Sequence, residues 1–157
     1  MPSFTASAHS INGTPRHEVD VNGRHTLTTD QPHSYGGSDA GPSPHELVAA
    51  TLASCASTMI VLYAQRKDWP LEHVQVDVNY DADTTPRRVE TTVHLHGRLT
   101  DPQIRRLLRV ADTCPVKHAL EAGFLIRQRL ADDHVPASNR ALASRRRALA
   151  GEPALPA

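Results

Sequence analysis

The segment Ser43-Pro44-His45-Glu46 and the run behind it constrain this chain more than any other feature. Ser43 offers an N-cap oxygen, Pro44 carries the preset φ of a first helical residue, and Glu46 stands three places after the cap, where its carboxylate reaches back to the cap amide. From Leu47 to Ala64 the residues are Leu, Val, Ala, Cys, Met, Ile and Tyr, broken only by the small hydroxyls Thr51, Ser54, Ser57 and Thr58. A helix apolar on nearly every side is a buried one, so other elements are expected to wrap around it. It ends at Arg66-Lys67-Asp68, because Trp69 precedes Pro70 and is pushed out of the helical region.

Around that helix the pattern is antiparallel. Asn12-Gly13 and Asn22-Gly23 separate short alternating segments, the strongest local hairpin signal, and predict strands near 4–10, 16–21 and 24–29. Asp30 to Pro44, with Gly36, Gly37, Gly41 and three prolines, reads as a long loop of the kind that lines a site. Val74 to Tyr80 and Val89 to Leu99 alternate with period two and read as half-buried strands. Asp101 to Asp112 has Ile104, Leu107, Leu108 and Ala111 at helical spacing behind Thr100 as cap. A short helix begins at Cys114-Pro115, and after Gly123 a strand is expected from Phe124 to Leu130. The predicted class is therefore α+β, as one domain over 1–131 with an Ala/Arg/Pro-rich tail over 132–157, disordered or marginally helical.

Charge and composition narrow the function. Seventeen basic and seventeen acidic residues cancel, so the footprint of a nucleic-acid binder is missing. No apolar stretch was expected to approach the roughly 20 residues that span a bilayer, and the N-terminus lacks the basic and apolar regions of a signal peptide. The expectation is a soluble cytoplasmic protein with no membrane partner. Aromatics make up only 4% of the chain, and so lean a core gains burial by pairing, which predicts a homodimer.

Two cysteines are too few for a disulfide scaffold, which leaves free or redox-active thiols. Cys55 sits mid-helix, where desolvation raises a thiol pKa. Cys114 stands at a helix N-terminus with Lys117 and His118 close behind, and amides and cations lower one. By local chemistry Cys114 is the more reactive. Ten histidines, with His94 and His96 on one strand face and Cys114 near His118, lack the four-ligand spacing of a zinc fold, so no metal is expected. Arg145-Arg146-Arg147 reads as a solvated run.

Gly41-Pro42-Ser43-Pro44-His45-Glu46-Leu47-Val48-Ala49-Ala50, leading to Ala53-Ser54-Cys55, and Ala111-Asp112-Thr113-Cys114-Pro115-Val116 resemble the two signature regions of the OsmC/Ohr family, in the right order. Tyr63 to Leu71 is similar to a segment of its OsmC-like branch. The resemblance runs from about Asp30 to Leu130. It implies N-terminal β-hairpins and an antiparallel sheet around a long central helix, in an intertwined homodimer. It also implies a peroxidase of the thiol type, with Cys55 as the peroxidatic nucleophile and Cys114 as the resolving thiol, which reverses the local ranking. An arginine from the hairpins would supply the charge beside Cys55, either Arg16, the favoured one, or Arg24. The family's Ohr branch has a glutamate directly after the proline that opens the helix; here that position is His45, and Glu46 comes one residue later.

By the same resemblance the substrate is an organic hydroperoxide, the reductant an external dithiol with a lipoyl-type dithiol as candidate, and no cofactor takes part. The catalytic set is then Cys55, Cys114, Arg16 and Glu46. Two other readings stay open: a non-catalytic module binding a small apolar ligand, and a redox sensor.

Overall fold

Both Asn-Gly pairs adopt the backbone that hairpins require. In the computed structural model, which describes residues 4–130, Asn12, Gly13, Asn22 and Gly23 all have φ between 52° and 69°. Positive φ at both central residues matches the twist of the flanking strands, and the amides of Thr14 and Arg24 close the turns onto Ile11 and Val21. The result is an antiparallel meander of β1 (Ala6–Ser10), β2 (His17–Val21) and β3 (His25–Thr29), with Val19 opposite both Ala8 and Leu27.

The loop after β3 is more ordered than its glycines and prolines suggest. Asp30 is 1% exposed, and its carboxylate accepts from the Gln31 amide at 2.8 Å, the Ser38 amide at 3.0 Å, the Ser38 hydroxyl at 2.6 Å and the Ala40 amide at 3.1 Å. These bonds, the Ser38 hydroxyl foremost, hold its pKa well below the usual carboxylate range. Gly37 passes so close to the Gln31 carbonyl that a Cβ would collide with it. A short 3₁₀ turn spans His33–Tyr35.

Helix α1 (Pro44–Arg66) begins with both halves of its capping box in place: Ser43 Oγ accepts from the Glu46 amide, and Glu46 accepts from the Ser43 amide at 2.6 Å. Thr51 and Ser57 return their hydroxyls to the helix's own carbonyls at Leu47 and Ser54, which is how an apolar helix carries them without partners. The chain then forms a hairpin of β4 (Leu71–Asp81) and β5 (Arg88–Gly97), followed by α2 (Asp101–Asp112) and α3 (Pro115–Ala122). Period two turns Val74, Val76, Val93 and Leu95 to one face of the hairpin, where they meet Ile60 and Ala64 of α1 and Leu107 of α2. Ile60 and Leu107 are fully buried, and each contributes about 1.5–3 kcal/mol by leaving water.

Three expectations are corrected. Helix α1 is apolar all round, but the chain buries it along one stripe only, Leu52, Ala56, Ile60 and Ala64. It is also long and apolar enough to cross a membrane by length and composition, with a mean hydropathy of 1.9 over its most apolar 18 residues; uncharged hydroxyl residues between the aliphatic ones do not lower that average as charges would. Finally, Phe124 to Leu130 forms no strand. A strand needs a neighbour's ladder for its amides, and none of the described strands pairs with this segment, whose Phe124, Leu125, Ile126 and Leu130 are exposed. It belongs to a second unit, distinct from the compact unit ending at Gly123. The tail over 132–157 lies outside the described residues.

Candidate active site

The corner between α2 and α3 delivers the second cysteine to the first. Helix α2 packs along α1 through Leu107 and Ala111, so Thr113 and Cys114, which follow it, come down beside the middle of α1. There the Cys114 thiol and the Val116 backbone lie close enough to Cys55 to act on its ionisation. Both cysteines are free thiols. Cys114 is 0% exposed, whereas Cys55 remains partly accessible.

Pro115 is the first residue of α3 and has no N–H, so Val116 presents the first free amide of that helix. That amide lies near Cys55 and acts to lower its pKa. Even so, the Cys55 pKa is raised, by burial first and then by the Cys114 thiol, against the lowering effect of the Val116 amide. Among the described residues no cation acts on it.

The other sequence-predicted residues lie elsewhere. Arg16 directly precedes β2 and Arg24 sits in the second hairpin turn, both exposed. Glu46 is held at the cap by Ser43, which lowers its pKa through the backbone bond first. Nine residues separate it from Cys55, about two and a half turns, so the two leave α1 on opposite sides. His45 packs edge-on against Tyr80, ring centroids 5.8 Å apart. Within one chain the structure thus brings together Cys55, Cys114 and the Val116 amide, and does not bring Arg16, Arg24, His45 or Glu46 to them. Among the described residues no group of three or more His, Cys, Asp or Glu is placed to hold a metal ion; His94 pairs with Asp77 at 3.0 Å, His96 stacks on His73, and His118 faces Glu121.

Two neighbouring cysteines, Cys55 partly accessible and Cys114 buried, thus sit at a helix corner inside an α+β fold. Residues 36–127, more than half of the chain, match the OsmC-like protein family. The chain belongs to the OsmC-like family. Solved structures agree: a Psychrobacter arcticus protein whose name ties it to osmotic stress and detoxification is 24% identical with a TM-score of 0.64, over 75% of this chain and 88% of its own. An organic hydroperoxide resistance protein OsmC from Legionella pneumophila is 25% identical with a TM-score of 0.57, over 76% and 90%. The organic hydroperoxide resistance protein OhrB of Bacillus subtilis is 18% identical with a TM-score of 0.51, over 74% and 89%. None of the curated proteins matches the chain. These neighbours share the fold of this OsmC-like chain.

Proposed function

We propose that this OsmC-like protein reduces organic hydroperoxides to alcohols with its two cysteines. The observation that carries the reading is the contact between a partly accessible Cys55 and a fully buried Cys114. Accessibility assigns the roles, because a peroxide arriving from solvent meets Cys55 first. The Cys55 thiolate attacks one peroxide oxygen; an S–O bond forms, the O–O bond breaks, and the departing alkoxide takes up a proton as alcohol. The sulfenic acid then condenses with the Cys114 thiol, releasing water and forming a disulfide. An external dithiol, of lipoyl type in our reading, reopens it by exchange and becomes the disulfide itself. The balance closes with sulfur alone, in a reducing compartment such as the cytoplasm.

The thiolate needs a cation, and the described residues of one chain place none beside it. Only 22% of the most apolar window of α1 is buried, which favours a homodimer in which a second copy covers that helix and brings Arg16 of its N-terminal meander to Cys55. Glu46 then serves as the cap of α1. The raised Cys55 pKa is the one observation that favours an inert module instead. Thiol titration separates the two: after one equivalent of cumene hydroperoxide, wild-type protein should lose both titratable thiols, while an inert module would keep two after an excess.

A further inference from the structure

Away from the thiols, three arginines converge on one cavity. It has a volume of about 220 Å³, lies between α1 and α2, and has Met59, Leu62 and Val110 as its apolar wall and Arg66, Arg106 and Arg109 around it. Among the described residues no acidic side chain lines it, and none of the three arginines has a carboxylate within ion-pairing distance. Asp112, the acid in the last turn of α2, is engaged by Lys117 at 2.9 Å. Arg66 and Arg109 stand in the last turns of their helices, where the helix dipole accommodates a cation. That accounts for each charge separately, but not for their convergence with Arg106 on one hollow.

Arg106 is held in place. Its Nε donates to the Tyr63 hydroxyl at 2.9 Å, and its guanidinium carbon lies 5.2 Å from the centre of the Tyr63 ring. The Tyr63 pKa is lowered, by the Arg106 bond first and then by the charges of Arg106, Lys67 and Arg109, in keeping with the cations gathered here. Guanidinium forks match carboxylates in a planar, bidentate way, and the wall beside them asks for hydrocarbon. At about 30 Å³ per water-sized group, a hollow of about 220 Å³ holds roughly seven to eight non-hydrogen atoms, the eight of a six-carbon carboxylate being its upper limit.

We infer that the α1–α2 cavity binds a short-chain carboxylate of about six carbons, its head among Arg66, Arg106 and Arg109 and its tail against Met59, Leu62 and Val110. The site does not rest on the peroxide reading, since neither cysteine belongs to it. The protein carries its own reporter: Trp69, the only tryptophan, packs edge-on against Tyr63 with ring centroids 5.5 Å apart.

The test titrates the full chain with hexanoate, hexanol and inorganic phosphate, reading Trp69 fluorescence and the shift in Tm, and repeats it on Arg66→Gln/Arg109→Gln, which leaves the Arg106–Tyr63 contact intact. The expected result is saturable hexanoate binding, at least tenfold tighter than hexanol or phosphate and weakened at least tenfold in the double variant, with thiol reactivity toward cumene hydroperoxide unchanged. Equal binding of hexanol would show an apolar hollow without a carboxylate site. Equal binding of phosphate would show a bare anion patch. Either result, no binding at all, or an unchanged affinity in the double variant would overturn the inference.

Discussion

Leu107 couples the core to the thiol pair, and its truncation tests that coupling. The side chain is 0% exposed and packs with Ile60 and Ala64 of α1; seven residues later the same helix has delivered Cys114 to Cys55. Leu107→Ala removes its methyl-bearing branch and leaves a cavity, which costs about 2.7–5 kcal/mol. Its neighbour Leu108 is 43% exposed, and Leu108→Ala should cost less than about 1 kcal/mol. For a chain of this size each kcal/mol lowers Tm by roughly 2–4 °C, so the two variants should differ by about 6–12 °C in thermal unfolding followed by circular dichroism at one fixed protein concentration. Because the α2–α3 corner is anchored through Leu107, folded Leu107→Ala should also close the Cys55–Cys114 disulfide more slowly after oxidation by diamide. Equal losses of stability in the two variants, or an unchanged closure rate in a clearly destabilised Leu107→Ala, would refute the coupling.

Ser43→Ala removes the oxygen that caps α1 and should lower stability by about 0.5–2 kcal/mol in urea unfolding without altering thiol contact. Asp30 has a folded pKa depressed below its ordinary 3.8, so its contribution is present at neutral pH and lost as pH falls through and below that value; Asp30→Asn should be less stable at pH 7 and show a shallower acid limb in stability plotted against pH. Arg16→Ala should slow consumption of cumene hydroperoxide at pH 7 and recover toward wild type at alkaline pH, where the thiolate forms without help; a pH-independent defect would exclude a role in ionising Cys55.

The local elements were legible because each rests on chemistry within a few residues: Asn-Gly for both hairpins, Ser43 with Glu46 for the start of α1, Thr100 for α2, and period two for β4 and β5. The contact between Cys55 and Cys114 was legible only through family resemblance, since nothing near either residue specifies the packing of α2 on α1. Asp30 was passed over for a similar reason: an acid among glycines and prolines reads as solvated, and only the folded loop shows four donors converging on it. A strand was expected after Gly123 over Phe124–Leu130, but pairing is a property of two segments, and the second one is absent from the described strands of this chain.

The central claim is that Cys55 attacks the peroxide and Cys114 resolves it, and one trapping experiment addresses it directly. Cys114→Ser is exposed to one equivalent of cumene hydroperoxide in the presence of a dimedone-type probe, and the adduct is located by mass spectrometry, with Cys55→Ser as the matched control. The account predicts consumption of one equivalent and a single adduct on Cys55 in the first variant, with no peroxide consumed and no adduct on the buried Cys114 in the second. An adduct on Cys114 in Cys55→Ser at a comparable rate, or no adduct in Cys114→Ser, would contradict it.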